Sequence, residues 1–128
     1  MTLSLNMGYY HIRLNKEASN LCTIIIPWRK YLYKCLPMGV SDSPDILQDK
    51  MNGIFCWFEF IRLYMNDLFR ITNGYCYNHL EKLELILQNI KDIGLKCNIK
   101  NSFFGKTKMK QLGFQVTQNG IQAINKKW

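Results

Sequence analysis

Residues 79–93 constrain this chain more than any other stretch. Leu80, Leu83, Leu87 and Ile90 fall on one stripe at helical spacing, and Gly94 stands where a left-handed C-cap is expected. A helix with one apolar stripe must bury it against another element, and most of the remaining chain is strand-like. Residues 21–36 hold β-branched and aromatic side chains around a Pro27–Lys30 interruption, which predicts two strands joined by a turn. Residues 58–72 read as a hairpin about Asn66-Asp67, with Ile61, Leu63 and Met65 alternating against Phe60, Arg62 and Tyr64. Leu95–Ile99, Met109–Gln118 and Ile121–Ile124 read as further strands, the last two joined by Asn119-Gly120 in a type I′ turn. A second helix is predicted from Pro44, with Ser43 as its cap and Ile46, Leu47, Met51 and Ile54 at helical spacing. Two helices can cover one face of an antiparallel sheet of this size, so the predicted class is α+β with both helices on one face.

The chain's 128 residues fit one domain. Hydrophobic residues make up 48% and no Pro/Ser/Gly-rich tract interrupts them, which favours a packed core over disorder. The net charge of +8 is one-sided: residues 91–128 hold eight lysines against the single acid Asp92, whereas residues 1–90 hold nine Lys and Arg against eight acids. A one-sided positive field is the footprint of a phosphate-rich partner or an anionic surface, and solvated surface lysines are the competing reading. The five cysteines are odd in number, and no two are closer than the 13 residues between Cys22 and Cys35. With no CxxC and no His at zinc-ligand spacing, they predict free buried thiols in a reducing compartment. Apolar runs such as Leu21–Trp28 are far shorter than the roughly 20 residues a bilayer needs, and the start carries no basic leader with a cleavage site. The expectation is a protein that neither spans a membrane nor is secreted, and so is intracellular, cytoplasmic or nuclear.

Three stretches, in order, carry a resemblance. Leu3-Ser4-Leu5-Asn6-Met7-Gly8-Tyr9-Tyr10, then Leu36-Pro37-Met38-Gly39-Val40 with Ser43-Pro44 and Gln48, then Tyr64-Met65-Asn66-Asp67 resemble successive motifs of reverse transcriptases, those of gypsy-type LTR retrotransposons and retrovirus-like pol polyproteins above all. The likeness continues through helix 79–93, Lys100-Asn101-Ser102-Phe103-Phe104, Leu112-Gly113-Phe114 and Asn119-Gly120-Ile121. A Tyr-x-x-Asp string alone arises easily by chance; the shared order of all these motifs does not.

The resemblance implies a polymerase palm spanning residues 1–128, a ferredoxin-like antiparallel sheet backed by two helices, with part of the fingers and without thumb or RNase H. It implies RNA or DNA primer–template and dNTPs as partners and two Mg²⁺ as cofactor, while protein partners are left undefined. Two dications about 4 Å apart stabilise the attacking and leaving oxygens, and hard cations need carboxylates to hold them together. The family supplies three aspartates; Ser4 stands at the first position, Asn66 at the second, and only Asp67 keeps its carboxylate. The catalytic expectation is therefore an impaired site built from Ser4, Asn66 and Asp67, with Asp67 its one metal ligand; without the resemblance, Asn66-Asp67 is ordinary hairpin-turn chemistry. Tyr9 falls where the family crowds the 2′-position of the incoming sugar, or is a core aromatic. Met38 and Gly39 fall where it lines the nucleotide pocket, or form a strand-to-helix turn. Leu112 and Gly113 resemble the hairpin that holds the primer end. Lys106, Lys108 and Lys110, alternating along a predicted strand, place three ammonium groups on one face, suited to a phosphate backbone or to protecting an edge strand. Lys100 is one residue out of the family's lysine position. Besides an impaired polymerase fragment, a non-enzymatic nucleic-acid-binding module and a decayed transposon relic are open readings.

Overall fold

The computed structural model describes residues 1–124. In chain order these form β1 (Thr2–Leu5), a 3-10 turn (Gly8–His11), α1 (Lys16–Leu21), β2 (Thr23–Ile26), β3 (Arg29–Leu32), α2 (Ser43–Phe55), β4 (Arg62–Tyr64), β5 (Asp67–Phe69), α3 (Cys76–Ile93), β6 (Cys97–Phe103), β7 (Met109–Gln111), β8 (Phe114–Thr117) and β9 (Gly120–Ala123). A four-stranded antiparallel sheet runs in the order β4-β5-β1-β6. Leu3 lies opposite Leu68, and Leu68 opposite Leu63, so one face of this sheet is apolar. These leucines join Leu5, Ile61, Leu47, Met51 and Phe55 of α2, and Ile86 and Ile90 of α3 in one core cluster. Both long helices therefore lie on the same face, the predicted α+β arrangement. Burying each such Leu, Ile or Phe is worth about 1.5–3 kcal/mol, which makes this face the anchor for everything on the other one.

The strands do not make a single sheet, as the order of elements suggested. β2 and β3 pair as a separate hairpin, and β7, β8 and β9 form a third sheet. The predicted strand 109–118 is broken at Leu112-Gly113, both at positive φ (50° and 81°), which turns the chain back on itself. The next turn also differs from expectation. Gln118-Asn119 form it, Asn119 is not left-handed, and Gly120 (φ 128°) already belongs to β9, so the turn is not type I′. The Asn119 N–H is taken by the Thr117 hydroxyl at 3.3 Å, a local acceptor that competes with the backbone turn. In the hairpin after α2, pairing is confined to β4 and β5, and Met65-Asn66 rather than Asn66-Asp67 make the turn.

α3 begins three residues before the predicted start, and Gly94 closes it at φ 80° with its N–H on the Ile90 and Lys91 carbonyls. Its buried stripe is rotated: Leu83, Ile86 and Ile90 face the core, while Leu80 and Leu87 are 54% and 41% exposed. Apolar residues flank both sides of this helix, and the sheet selects the side centred on Ile86. α2 starts at Ser43, not Pro44, and Ser43 is not its cap. Asp42 holds that position, and the fully buried Ser43 hydroxyl donates to the Pro37 carbonyl at 2.7 Å, because a buried donor needs an acceptor more than an exposed helix end needs a cap. The short α1 was not foreseen; Asn15 caps it by accepting from the Ala18 N–H at 2.8 Å. All five cysteines are free, yet none is fully buried, Cys56 and Cys76 being exposed, which corrects the expectation of core thiols. Among the described residues no helix is long and apolar enough to cross a membrane.

Candidate active site

Cross-strand partners share a face, so the face of the main sheet opposite the helices carries Thr2, Ser4, Tyr64 and Asp67. Ser4 is the direct register partner of Asp67, a pairing that puts Cα atoms about 4.5–5.5 Å apart. The Leu5 N–H donates to the Asn66 carbonyl at 2.7 Å, which brings the hairpin turn onto the end of β1. Ser4, Asn66 and Asp67 thus converge, although 62 positions separate Ser4 from Asn66.

The turn is held under strain. Met65 sits at φ 51°, a conformation that costs a non-glycine residue about 1–2 kcal/mol. Gln48 of α2 offsets this: its Oε1 accepts from the Met65 N–H at 2.7 Å and its Nε2 donates to the Leu63 carbonyl at 3.3 Å. Gly8 supplies the space beside it, for a Cβ at Gly8 would collide with the Asn66 side-chain oxygen. That oxygen is buried with no hydrogen-bond partner among the described residues. Among the described residues the non-glycine residues at positive φ are Met7, Met65 and Leu112, each in or next to a segment that meets here: Met7 precedes Gly8, and Leu112 follows Gln111. Such strain concentrates at functional sites.

Asp67 is not free. Its Oδ2 accepts from Gln111 Nε2 of β7 at 2.9 Å, and the Thr2 hydroxyl donates to Met109 Sδ at 2.8 Å, so alternate residues of β7 seat the third sheet on the open face of the first. Beside them Ser102 Oγ accepts from the Ser4 N–H at 3.1 Å and donates to the Asn98 carbonyl at 2.7 Å, closing the irregularity where β6 slips register against β1. Among the described residues no three His, Cys, Asp or Glu gather as a metal-binding group.

The other motif residues are dispersed. Tyr9 is 9% exposed and belongs to the core cluster. Met38 and Gly39 sit in the exposed turn leading to α2, and no hydrogen bond among the described residues ties them to Ser4 or Asp67. Leu112 and Gly113 form the tight β7–β8 turn. The lysine row is not strand-borne: only Lys110 lies in β7, while Lys106 and Lys108 lie in the preceding loop. They nevertheless line one groove of about 430 Å³. Lys126 and Lys127, part of the basic third, fall outside the described residues. Gln48, Gln111, Ser102 and Gly8 hold the site yet were not singled out as site residues; Gly8, Gln48 and Ser102 lie within the motif stretches, and Gln111 alone of the four carried no signal. A cavity of about 510 Å³ between residues 13–19 and 34–35 contains none of the motif residues.

Behind the site, at the end of β5, Arg70 is 2% exposed and none of its guanidinium nitrogens has a partner among the described residues. Its Cζ lies 4.5 Å from the Phe60 ring centroid, and burial lowers its pKa below the usual arginine value. The Met1 ammonium donates to the Arg70 carbonyl at 2.9 Å; burial first, then the Arg70 charge, lowers its pKa. His79 is likewise pushed below its usual value, by burial and then by the Met1 and Arg70 charges.

The family model described as reverse transcriptase (RNA-dependent DNA polymerase) matches residues 1–116. The chain is 30% identical over 121 residues to the enzymatic polyprotein of Cestrum yellow leaf curling virus, covering 93% of the chain and 19% of that protein. It is 27% identical over 133 aligned residues to the retrovirus-related Pol polyprotein from transposon opus of Drosophila melanogaster, covering 98% of the chain and 13% of that protein. It therefore spans less than a fifth of these relatives. Among solved structures it is similar to the foamy viral protease–reverse transcriptase in complex with RNA/DNA hybrid, with a TM-score of 0.88, 20% identity, and coverage of 97% of this chain and 17% of that one.

Proposed function

Because the chain belongs to the reverse transcriptase (RNA-dependent DNA polymerase) family, we propose that it is a palm with part of the fingers that holds a primer–template but does not add nucleotides. One observation carries the reading: where β1 meets the β4–β5 turn, the chain presents a hydroxyl, an amide and a single carboxylate. Nucleotidyl transfer by this family's chemistry needs two Mg²⁺ held about 4 Å apart, and their mutual repulsion is offset by carboxylate charge. The residues present do not fit that pair. Ser4 and Asn66 contribute no charge, the Asn66 oxygen is packed toward Gly8, and one Asp67 oxygen already accepts from Gln111. A serine hydroxyl and an amide can ligate a cation but cannot offset the charge of two. Since electrostatic stabilisation is usually the largest catalytic contribution, the loss amounts to several orders of magnitude in rate.

Binding of nucleic acid survives this loss, because it depends on other residues. The basic C-terminal third supplies positive charge for phosphates, and the β7–β8 turn at Leu112-Gly113 is tied to Asp67 through Gln111, so a strand resting on that turn is registered against the old catalytic face. Solved relatives are complexes with RNA/DNA hybrid and with double-stranded DNA, which supports this class of partner. The test is direct. A labelled primer–template should bind with a steep dependence on salt, and primer extension with dNTPs and either Mg²⁺ or Mn²⁺ should yield no template-directed product. Absence of binding at low salt would overturn the reading.

A further inference from the structure

Lys106, Lys108 and Lys110 share their groove with Phe103, Met109 and Gln115. Among the described residues three cations and no acid line it, so its field attracts anions. Its Phe103 and Met109 border the sheet face that carries Ser4 and Asp67, Phe103 as the register partner of Thr2 and Met109 as the acceptor of the Thr2 hydroxyl. Gln111 points at Asp67, whereas Lys110 and its cross-strand partner Gln115 are one residue out of phase and point away from it.

Phe103, at the end of β6, gives the groove something that lysines alone would not. Phe103 is 40% exposed, and Lys106 Nζ rests 4.0 Å from its ring centroid. A flexible, solvated ammonium on an exposed ring makes a weak contact that a flat base can replace, freeing the lysine for a phosphate. In a duplex the base faces are stacked inside and only phosphates reach such a surface; in a single strand one base can turn onto the ring while its neighbours' phosphates meet the lysines. Gln115 adds an amide that can pair with a base edge whatever the base.

We propose that this groove binds single-stranded nucleic acid, with one base against Phe103 and adjoining phosphates on Lys106, Lys108 and Lys110, as a contact beside the Asp67 face that does not use Asp67 itself. The proposal rests on the nucleic-acid-binding reading above and names the strand that the basic third takes.

The experiment uses the full chain and fluorescence anisotropy, with an oligothymidylate of about 12 nucleotides, a blunt duplex of similar charge, and polyglutamate as a competing anion. Phe103→Ala should weaken oligothymidylate binding roughly 5- to 150-fold, the range for loss of one base–aromatic stack, and leave duplex binding within about twofold. Phe103→Leu keeps an apolar side chain and should show the same selective loss, which separates lost stacking from misfolding. Changing the three lysines to Gln should reduce the salt slope for the oligonucleotide by about 2, at about 0.7 for each single-strand phosphate contact. Unchanged oligonucleotide binding by both Phe103 variants, an equal loss for duplex, or polyglutamate binding as tight as the oligonucleotide's would overturn the groove assignment. If the unmodified chain binds the primer–template but not the oligonucleotide, the groove proposal alone fails; if it binds neither, the reading it rests on fails too.

Discussion

Arg70→Met should make the protein more stable. Arg70 directly follows β5, two residues after the inward-facing Leu68, so continued strand alternation drives its side chain into the core. A buried guanidinium with no counter-ion among the described residues carries a desolvation cost of several kcal/mol, and donors unpaired among those residues add to it. The Phe60 ring 4.5 Å away returns about 2 kcal/mol, the value for a desolvated cation–π contact. The backbone bonds of residue 70, from its N–H to the Met1 carbonyl and from the Met1 ammonium to its own carbonyl, do not depend on the side chain and persist. Methionine is unbranched and fills much of the same space, and its sulfur keeps a contact with the ring. The balance is a gain of about 1–4 kcal/mol, in the range found when buried charges give way to apolar side chains. For a chain of this size each kcal/mol raises the melting temperature by about 4 °C. Urea titrations of both proteins at neutral pH would measure it. A loss of stability in Arg70→Met, with an unchanged slope against urea, would show that Arg70 has a counter-charge and refute the reasoning.

Gly8→Ala should destabilise by about 1–3 kcal/mol, the cost of overpacking, because the new methyl meets the Asn66 side-chain oxygen; Gly8→Ala with Asn66→Ala should recover most of it in the same titration. Gln111→Leu and Asp67→Ala, measured singly and together, should show a coupling of about 1 kcal/mol, since both remove one amide–carboxylate bond; additive effects would deny that bond. His79 has a folded pKa below its ordinary 6.5, from burial and then from the Met1 and Arg70 charges. It is therefore neutral in the fold, and its contribution to stability is complete above about pH 6.5 and is lost as pH falls through the lowered folded value. The urea midpoint of the unmodified chain should fall across that window more steeply than that of His79→Gln, and parallel curves would count against it.

Much of this architecture is legible in local pattern. The Gly94 stop of α3, the paired runs of β4 and β5, and the β2–β3 hairpin each rest on side-chain periodicity or turn chemistry within a few residues. The meeting of Ser4 with Asp67 came from motif order, not from periodicity, and the register bears out the proximity. What stayed hidden depends on partners distant in the chain. Gln111 is unremarkable until it is placed against Asp67, 44 residues earlier. Leu112 at φ 50° breaks a run that side-chain pattern reads as continuous strand, because leucine carries no turn signal; only the motif resemblance gave a hairpin at Leu112-Gly113. Arg70 fits an ordinary strand alternation by position, and only burial shows it to be an anomaly. The stripe of α3 was misplaced for a similar reason: apolar residues lie on both flanks of the helix, and the sheet decides which are covered.

The central claim is that the catalytic face fails for want of carboxylate charge, so the decisive measurement pairs calorimetric Mn²⁺ affinity with single-nucleotide addition on a primer–template. The comparison is between the unmodified chain and one carrying Ser4→Asp and Asn66→Asp together. The unmodified chain should bind Mn²⁺ weakly and add no nucleotide. The double variant should gain metal affinity well beyond the sum of its two single changes, because carboxylates that share ions act jointly. Template-directed addition by the unmodified chain, or no gain in affinity in the double variant, would contradict the account.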